Sequence, residues 1–383
     1  MASAGSSLRV LMLLEGHFPA VGGAERQLDT LARALRERGH RVRVVIPRLD
    51  PKTRPGPGRH GKLPLYRLAY PRWRVLGSLM LLVRLALVLW RWRHRYDAIH
   101  VHIAHNMGAV AAVLGRWLGK PVVVKFSGWW ELERGCLRPR GGVGAWLARR
   151  MLRRASAVQA ISQRFASELR RRGFAQDTIH WVPNGVDMSR FAGMARTDNR
   201  DGASTAVFVG RLVSEKGLDT LLRAWAQAGS SLAGWRLRLV GGGVQERELR
   251  QLADTLGIGG AVDFVGPSDA VEQHLAEADV GLLPSRFEGL SNTLLEYMAA
   301  GLPGIVSRIS GSEDFIIARR SGWLFEPDDV AGLAAALAEM ATAAREDRLA
   351  MGVAARQDVL ARASIDAVVT RLLGLYAGAQ GEP

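Results

Sequence analysis

The chain has 383 residues, 48% of them hydrophobic, with no low-complexity block, a length better suited to two domains than to one core. Its one cysteine, Cys136, excludes an intrachain disulfide framework and fits a reducing compartment. The formal net charge of +16 is lopsided, since 34 of the 52 Lys and Arg but only 11 of the 36 Asp and Glu lie at or before Arg190.

In chain order, the apolar run from Val10 to Leu14 ends at Glu15. It is too short for a signal-peptide core, and residues 8–14 read as a parallel strand buried on both faces. Gly22-Gly23-Ala24-Glu25 then opens a helix striped by Leu28, Leu31, Ala32 and Leu35 and ending near Gly39. A strand, a glycine turn and a helix place pliable backbone at the carboxyl edge of a sheet, where open α/β folds bind ligands, although a lone Gly-Gly pair is also an ordinary tight turn. Residues 42–46 form the next strand, and 50–64, rich in Pro, Gly and basic residues, read as a surface loop.

Residues 75–90 (VLGSLMLLVRLALVLW) are the most hydrophobic stretch. They fall short of the ~20 residues of a bilayer span and are interrupted by Arg84, so a core helix that continues into a basic, membrane-facing surface is favoured over a transmembrane helix. Strand 98–102 puts His100 and His102 on one face and leads to His105 and Asn106. A helix over 106–118 and a strand over 121–126 follow, delivering Ser127-Gly128-Trp129-Trp130-Glu131 to the same edge. The Gly/Arg-rich stretch 134–144 reads as a closing loop. A basic helix with Arg149, Arg150, Arg153 and Arg154 precedes strand 157–161, the cap Ser162, strand 179–182 and the turn Pro183-Asn184-Gly185-Val186-Asp187.

Residues 193–204 are small, polar and aperiodic, as an interdomain linker would be. Strands are then expected at 206–209, 237–240, 262–265, 280–283 and 305–307, alternating with helices. The predicted architecture is α/β: two doubly wound domains, 1–193 and 204–363, facing across a cleft.

The second domain carries the most informative stretch, residues 287–304, FEGLSNTLLEYMAAGLPG. Ser291-Asn292-Thr293 supplies a cap and helix start, and Gly301-Leu302-Pro303 a stop. Glu288 sits on the preceding loop and Glu296 about one turn inside the helix. Both can face a ligand at a helix N-terminus whose amides and dipole suit phosphate. Two carboxylates eight positions apart are, alone, an ordinary solvated helix face. Upstream, Gly210-Arg211 and Lys216-Gly217 place two cations on one loop, Arg as a planar fork and Lys as a mobile point charge.

Taken together, GGAE at 22–25, PNGVD at 183–187, GRLVSEKG at 210–217, VGGG at 240–243, the string PSRFEGLSNTLLE at 284–296 and AAGLP at 299–303 resemble the family 4 retaining glycosyltransferases of the GT-B fold, in that family's order and across nearly the whole chain. The resemblance implies two Rossmann-like domains, the first on the acceptor side and the second holding a nucleotide sugar, with a C-terminal helix (364–383) packing back on the first. It implies Arg211 and Lys216 on the donor diphosphate, Glu296 on the ribose and Glu288 near the transferred sugar, with Gly289, Leu290, Ser291 and Asn292 lining the donor site. The Gly22-Gly23 backbone would approach the phosphates or the acceptor. Many members carry His-Gly where this chain has Ser127-Gly128. Ser127, His102 or His105 could supply the sugar contact instead, or activity could be lost. In this family retention is ascribed to front-face attack with the leaving phosphate accepting the proton, so the missing His does not exclude catalysis.

The expected activity is transfer of a sugar from a nucleoside-diphosphate sugar to a glycan or lipid-linked acceptor, in cell-envelope or exopolysaccharide synthesis, with no cofactor and no metal needed for the chemistry. A GT-B epimerase or phosphorylase is the enzymatic alternative. The basic half could instead mark a nucleic-acid binder, but no recognition module accompanies it. It fits an anionic membrane surface, hence a cytoplasmic, peripheral location at the inner face of the plasma membrane. A high-GC genome would also enrich Arg without function.

Overall fold

The structure, a computed structural model, describes residues 7–19, 22–71, 73–128, 130–133, 135–138, 141–194 and 204–378. Two compact units emerge, Met1–Gly185 with Ile365–Pro383, and Val186–Ser364.

The first unit holds an eight-stranded sheet made of β1 (Arg9–Leu13), β2 (Arg41–Pro47), β3 (Gly56–His60), β4 (Leu63–Leu68), β5 (Ala98–Val101), β6 (Val122–Phe126), β7 (Ala157–Ala160) and β8 (Ile179–Trp181). Its order is β3-β4-β2-β1-β5-β6-β7-β8, parallel throughout except for the β3–β4 pair. Along β1 the side chains alternate between two cores: Leu11 and Leu13 join one, Val10 and Met12 the other. That alternation is why the strand reads as an unbroken apolar run.

The second unit is a six-stranded, wholly parallel sheet: β9 (Ser204–Val209), β10 (Trp235–Val240), β11 (Val262–Gly266), β12 (Val280–Leu283), β13 (Gly304–Ser307) and β14 (Gly322–Phe325), in the order β11-β10-β9-β12-β13-β14. In each sheet the chain winds outward both ways from its first strand, β1 or β9. The carboxyl ends of those strands are therefore topological switch points, where loops part and leave a crevice.

Two expectations, the loop at 50–64 and the end of the first domain, are corrected. Residues 50–64 are not a plain loop, because β3 pairs with β4 in a hairpin at the sheet edge. Proline is tolerated there, since an edge strand leaves one row of backbone groups unpaired. The expected core helix is present as Arg74–Arg91: Leu81, Leu85 and Leu89 are buried while Leu76, Leu79 and Leu87 are exposed. The first unit also ends at Gly185, short of 193. Val186 N–H donates to Ala363 O at 2.9 Å, and Phe191 is buried within the second unit. The helix Ile365–Tyr376 belongs to the first unit, where Asp366 pairs with Arg38 at 2.7 Å. Much of the expected linker and part of the expected closing loop lie outside the described residues.

Candidate active site

In the second unit the glycine motifs bring three loops together at the carboxyl edge of β9, β10 and β12. Gly217 has φ +63°, and a Cβ there would overlap Pro284 O. Gly241, at φ +137°, would likewise overlap Gly210 O. Only glycine permits both the left-handed backbone and the contact. Backbone bonds complete the join: Gly210 N–H donates to Val240 O at 2.9 Å, Leu212 N–H to Gly242 O at 3.0 Å and Arg286 N–H to Glu215 O at 2.9 Å.

This packing sets Lys216 against Glu288. Lys216 Nζ lies 2.6 Å from Glu288 Oε1, which also accepts a hydrogen bond from Ser285 Oγ at 2.7 Å. Both side chains of the ion pair are about one-sixth exposed. Arg211 is exposed on the same loop. Gly289, Leu290 and Ser291 are buried, and Asn292 begins the helix Asn292–Ala299. Ser291 occupies the cap position, but its hydroxyl makes no capping bond.

Glu296 lies deeper than Glu288. Its side chain is only 5% exposed, and its Oε1 accepts from Arg190 Nη1 at 2.9 Å, while Arg190 Nε donates to Glu272 at 2.7 Å. Tyr297, fully buried beside it, receives Val209 N–H on its hydroxyl at 2.8 Å and so ties the helix to β9. Arg190 carried no role in the sequence. Its only signal is its place just after the PNGVD turn, and its partners are 82 and 106 residues away.

In the first unit, Gly22 and Gly23 start the helix Gly23–Glu37, and a Cβ at Gly22 would overlap the Glu25 carboxylate. Gln27, from that helix, exchanges two 2.9 Å hydrogen bonds with the Gly185 backbone. At the carboxyl ends of β5 and β6 a buried carboxylate organises the backbone. Glu131 Oε1 accepts from Ala104 N–H at 3.0 Å, and Oε2 accepts from Ser127 and Gly128 N–H at 2.7 and 3.0 Å. Burial pushes its carboxyl up to about 7 against the pull of these amides, and burial brings nearby Lys125 down to about 8. Ser127 is thus held by its backbone at the sheet edge and is partly exposed.

The two histidines part company. His105 Nδ1 bonds Glu15 Oε1 at 2.7 Å, and this carboxylate raises its pKa. Glu15 also accepts Met107 N–H at 2.8 Å. His105 is about one-third exposed. His102 is 1% exposed, its ring 4.4 Å from that of His100, and burial lowers its pKa well below the ordinary value. The strand alternation that aligned His100 with His102 turns both inward, so His102 is a core side chain rather than one open to a ligand. Glu15 and Glu131 stood in the sequence without a role, because Glu15 holds the Met107 amide and Glu131 the Ala104 amide, backbone from a distant segment.

Two family models match, one in each unit: residues 21–190 match the model described as Glycosyltransferase Family 4, and residues 203–343 the one described as Glycosyl transferases group 1. The chain belongs to the group 1, family 4 glycosyltransferases. Among curated relatives, this glycosyltransferase is 29% identical to the glycogen synthase of Mycobacterium tuberculosis over 97% of its own length and 95% of the relative's. It is 34% identical to the putative colanic acid biosynthesis glycosyltransferase WcaL of Salmonella typhimurium over 49% of this chain and 48% of that protein. Among solved structures, that of Anabaena HepE in complex with UDP superimposes with a TM-score of 0.77, at 19% identity, over 97% of this chain and 100% of that one. At that identity the likeness speaks for the fold, which is GT-B.

Proposed function

We propose that this glycosyltransferase moves a sugar, with retention at the anomeric carbon, from a nucleoside-diphosphate sugar to a glycan or lipid-linked acceptor in cell-envelope or exopolysaccharide synthesis, working at the cytoplasmic face of the plasma membrane. The observation that carries this reading is the Lys216–Glu288 pair, which brings together at one sheet edge the cation proposed for the diphosphate and the carboxylate proposed for the sugar. The names of the relatives, a glycogen synthase and a colanic acid glycosyltransferase, and the UDP and UDP-glucose complexes of HepE support a nucleotide-sugar donor.

In the proposed step the bond between the anomeric carbon and the diphosphate breaks, and an acceptor hydroxyl bonds that carbon from the same face. The proton passes to the departing phosphate oxygen. Arg211 and Lys216, with the helix N-terminus at Ser291–Asn292, stabilise charge growing on the diphosphate. Glu296 takes the ribose hydroxyls and Glu288 the sugar. Neither a metal nor another cofactor is invoked, because the two cations and the helix amides supply the positive potential. In the first unit, Ser127 and His105 are the proposed contacts to the sugar or acceptor, and the Gly22-Gly23 backbone meets the phosphates or the acceptor.

Thermal unfolding across a panel of nucleoside diphosphates and their sugars tests this, since a ligand that binds only the native state raises its Tm. One nucleoside diphosphate and its sugars should stand out, and NMR should show the donor's anomeric configuration kept in the product. Inversion would remove the retaining mechanism. Free sugar or epimer formed without acceptor would point to the epimerase or phosphorylase chemistry instead.

A further inference from the structure

Three helices of the first unit, Arg74–Arg91, Asn106–Trp117 and Val143–Leu152, lie side by side on one face of the sheet, the second packed against both others. Each has an inner apolar side, including Leu85, Met107 and Leu152, within one hydrophobic core. Each also has an outer apolar side that no described residue of this unit covers. Leu76, Leu79, Val83 and Leu87 recur at helical spacing on the first helix, at 50–59% exposure, and Trp117 and Trp146 stand 71% and 56% exposed on the other two. A surface helix normally places charge opposite its buried stripe, and a continuous exposed apolar patch marks an interaction site.

Charge decides the occupant. Residues 73–96, 106–130 and 141–167 contain no Asp or Glu, while Arg91, Arg93, Arg116 and Arg150 fall within them. The Arg93 guanidinium lies 4.8 Å from the Trp90 ring centre and that of Arg150 5.9 Å from that of Trp146, pairing an apolar ring with a cationic tip. A second copy meeting this face across a twofold axis would set arginines against arginines with no acid to offset them. An anionic lipid surface matches both features: acyl chains take the aromatic and aliphatic side chains, and headgroups take the guanidinium groups. No described helix is long and apolar enough to cross a membrane, so the helices would lie in the interface.

We infer that the outer face of this three-helix layer is a membrane-insertion surface that seats the first unit in the headgroup–acyl boundary of an anionic bilayer. The attachment is partly hydrophobic, beyond simple adsorption of a basic protein. The inference deepens the proposal of a membrane-borne acceptor and rests on that proposal for its purpose.

Flotation of the full chain with phosphatidylglycerol/phosphatidylcholine vesicles, at low and at high salt, tests it. The wild type should float at low salt and keep a bound fraction at a salt concentration that screens surface charge, with its Trp emission shifted to the blue. Leu79→Gln/Val83→Gln/Leu87→Gln should cut the salt-resistant partitioning at least tenfold, while Arg116→Gln/Arg150→Gln, both exposed, should weaken only low-salt binding. All five positions lie outside the donor site, so an unchanged Tm and an unchanged Tm rise with the nucleoside diphosphate confirm folding. A triple variant that floats like the wild type, a wild type that never floats, or a dimer in sedimentation that the triple substitution dissolves would each overturn the inference. Vesicle binding without any Tm response to a nucleoside diphosphate would sink the donor reading and leave this one standing. A Tm response without vesicle binding would do the reverse.

Discussion

Lys216 Nζ sits 2.6 Å from Glu288 Oε1, so the cation of one loop and the carboxylate of another, 72 residues apart, neutralise each other at the edge of the second sheet. On the proposed reading a donor divides the pair: the diphosphate takes the ammonium and the sugar hydroxyls take the carboxylate. The pair keeps each group oriented and spares either from lying partly buried and uncompensated.

Removing the cations should therefore act on phosphate and not on base or ribose. Arg211→Ala and Lys216→Ala should each weaken nucleoside-diphosphate binding by about 1.5–3 kcal/mol, the worth of one charge-assisted contact, in titration calorimetry. Free nucleoside affinity should barely change. Equal losses for both ligands would show that the diphosphate lies elsewhere.

The two glutamates should separate. Glu296→Gln should weaken binding of the nucleotide even without a sugar, whereas Glu288→Gln should leave that affinity near wild type and lower kcat and kcat/KM alike. Arg190 is the positioning residue for Glu296. Arg190→Ala takes the guanidinium away from that nearly buried carboxylate and should lower the unfolding free energy by about 1–3 kcal/mol in urea titration. The double variant Arg190→Ala/Glu296→Gln should cost less than the sum of the single changes. Additive losses would mean the two residues act independently.

Glu131 makes a prediction about pH. Its carboxyl stands at about 7 in the fold against an ordinary value of 4.5, so between those values the native state holds a proton that the unfolded chain has released. Stability from this group is present below pH 4.5 and is lost as pH rises through 7. Lys125 acts oppositely and higher: its value of about 8 means the unfolded chain holds the extra proton between 8 and 10.5, and stability rises there. Measured against Glu131→Gln, the wild type should lose relative stability from pH 4.5 to 7 and then level off. Above pH 7 the variant should also be less stable, because an amide keeps one acceptor oxygen where the carboxylate spreads three backbone N–H groups over two. A difference that does not vary with pH would show that Glu131 is ionised throughout.

Much of the fold was legible in the sequence for one reason. Strands of parallel sheets are buried on both faces, so β1, β9 and β12 stand out as apolar runs. The hairpin of β3 and β4 was not legible, because Pro57 and Gly58 contradict strand propensity and only an edge position makes them acceptable. Nor was β14, whose four residues Gly322–Phe325 carry no periodicity of their own.

For the site, the order of short motifs determined the family and nominated Arg211, Lys216, Glu288 and Glu296, since glycines and charged residues at loop ends reflect local backbone demands. Tertiary structure alone decided who meets whom. It paired Lys216 with Glu288 and Arg190 with Glu296, turned His102 inward, gave Glu131 the amides of two strand ends and left the outer side of an apolar helix uncovered. These outcomes depend on contacts between segments far apart in the chain. Spacing and periodicity report only the geometry of neighbours.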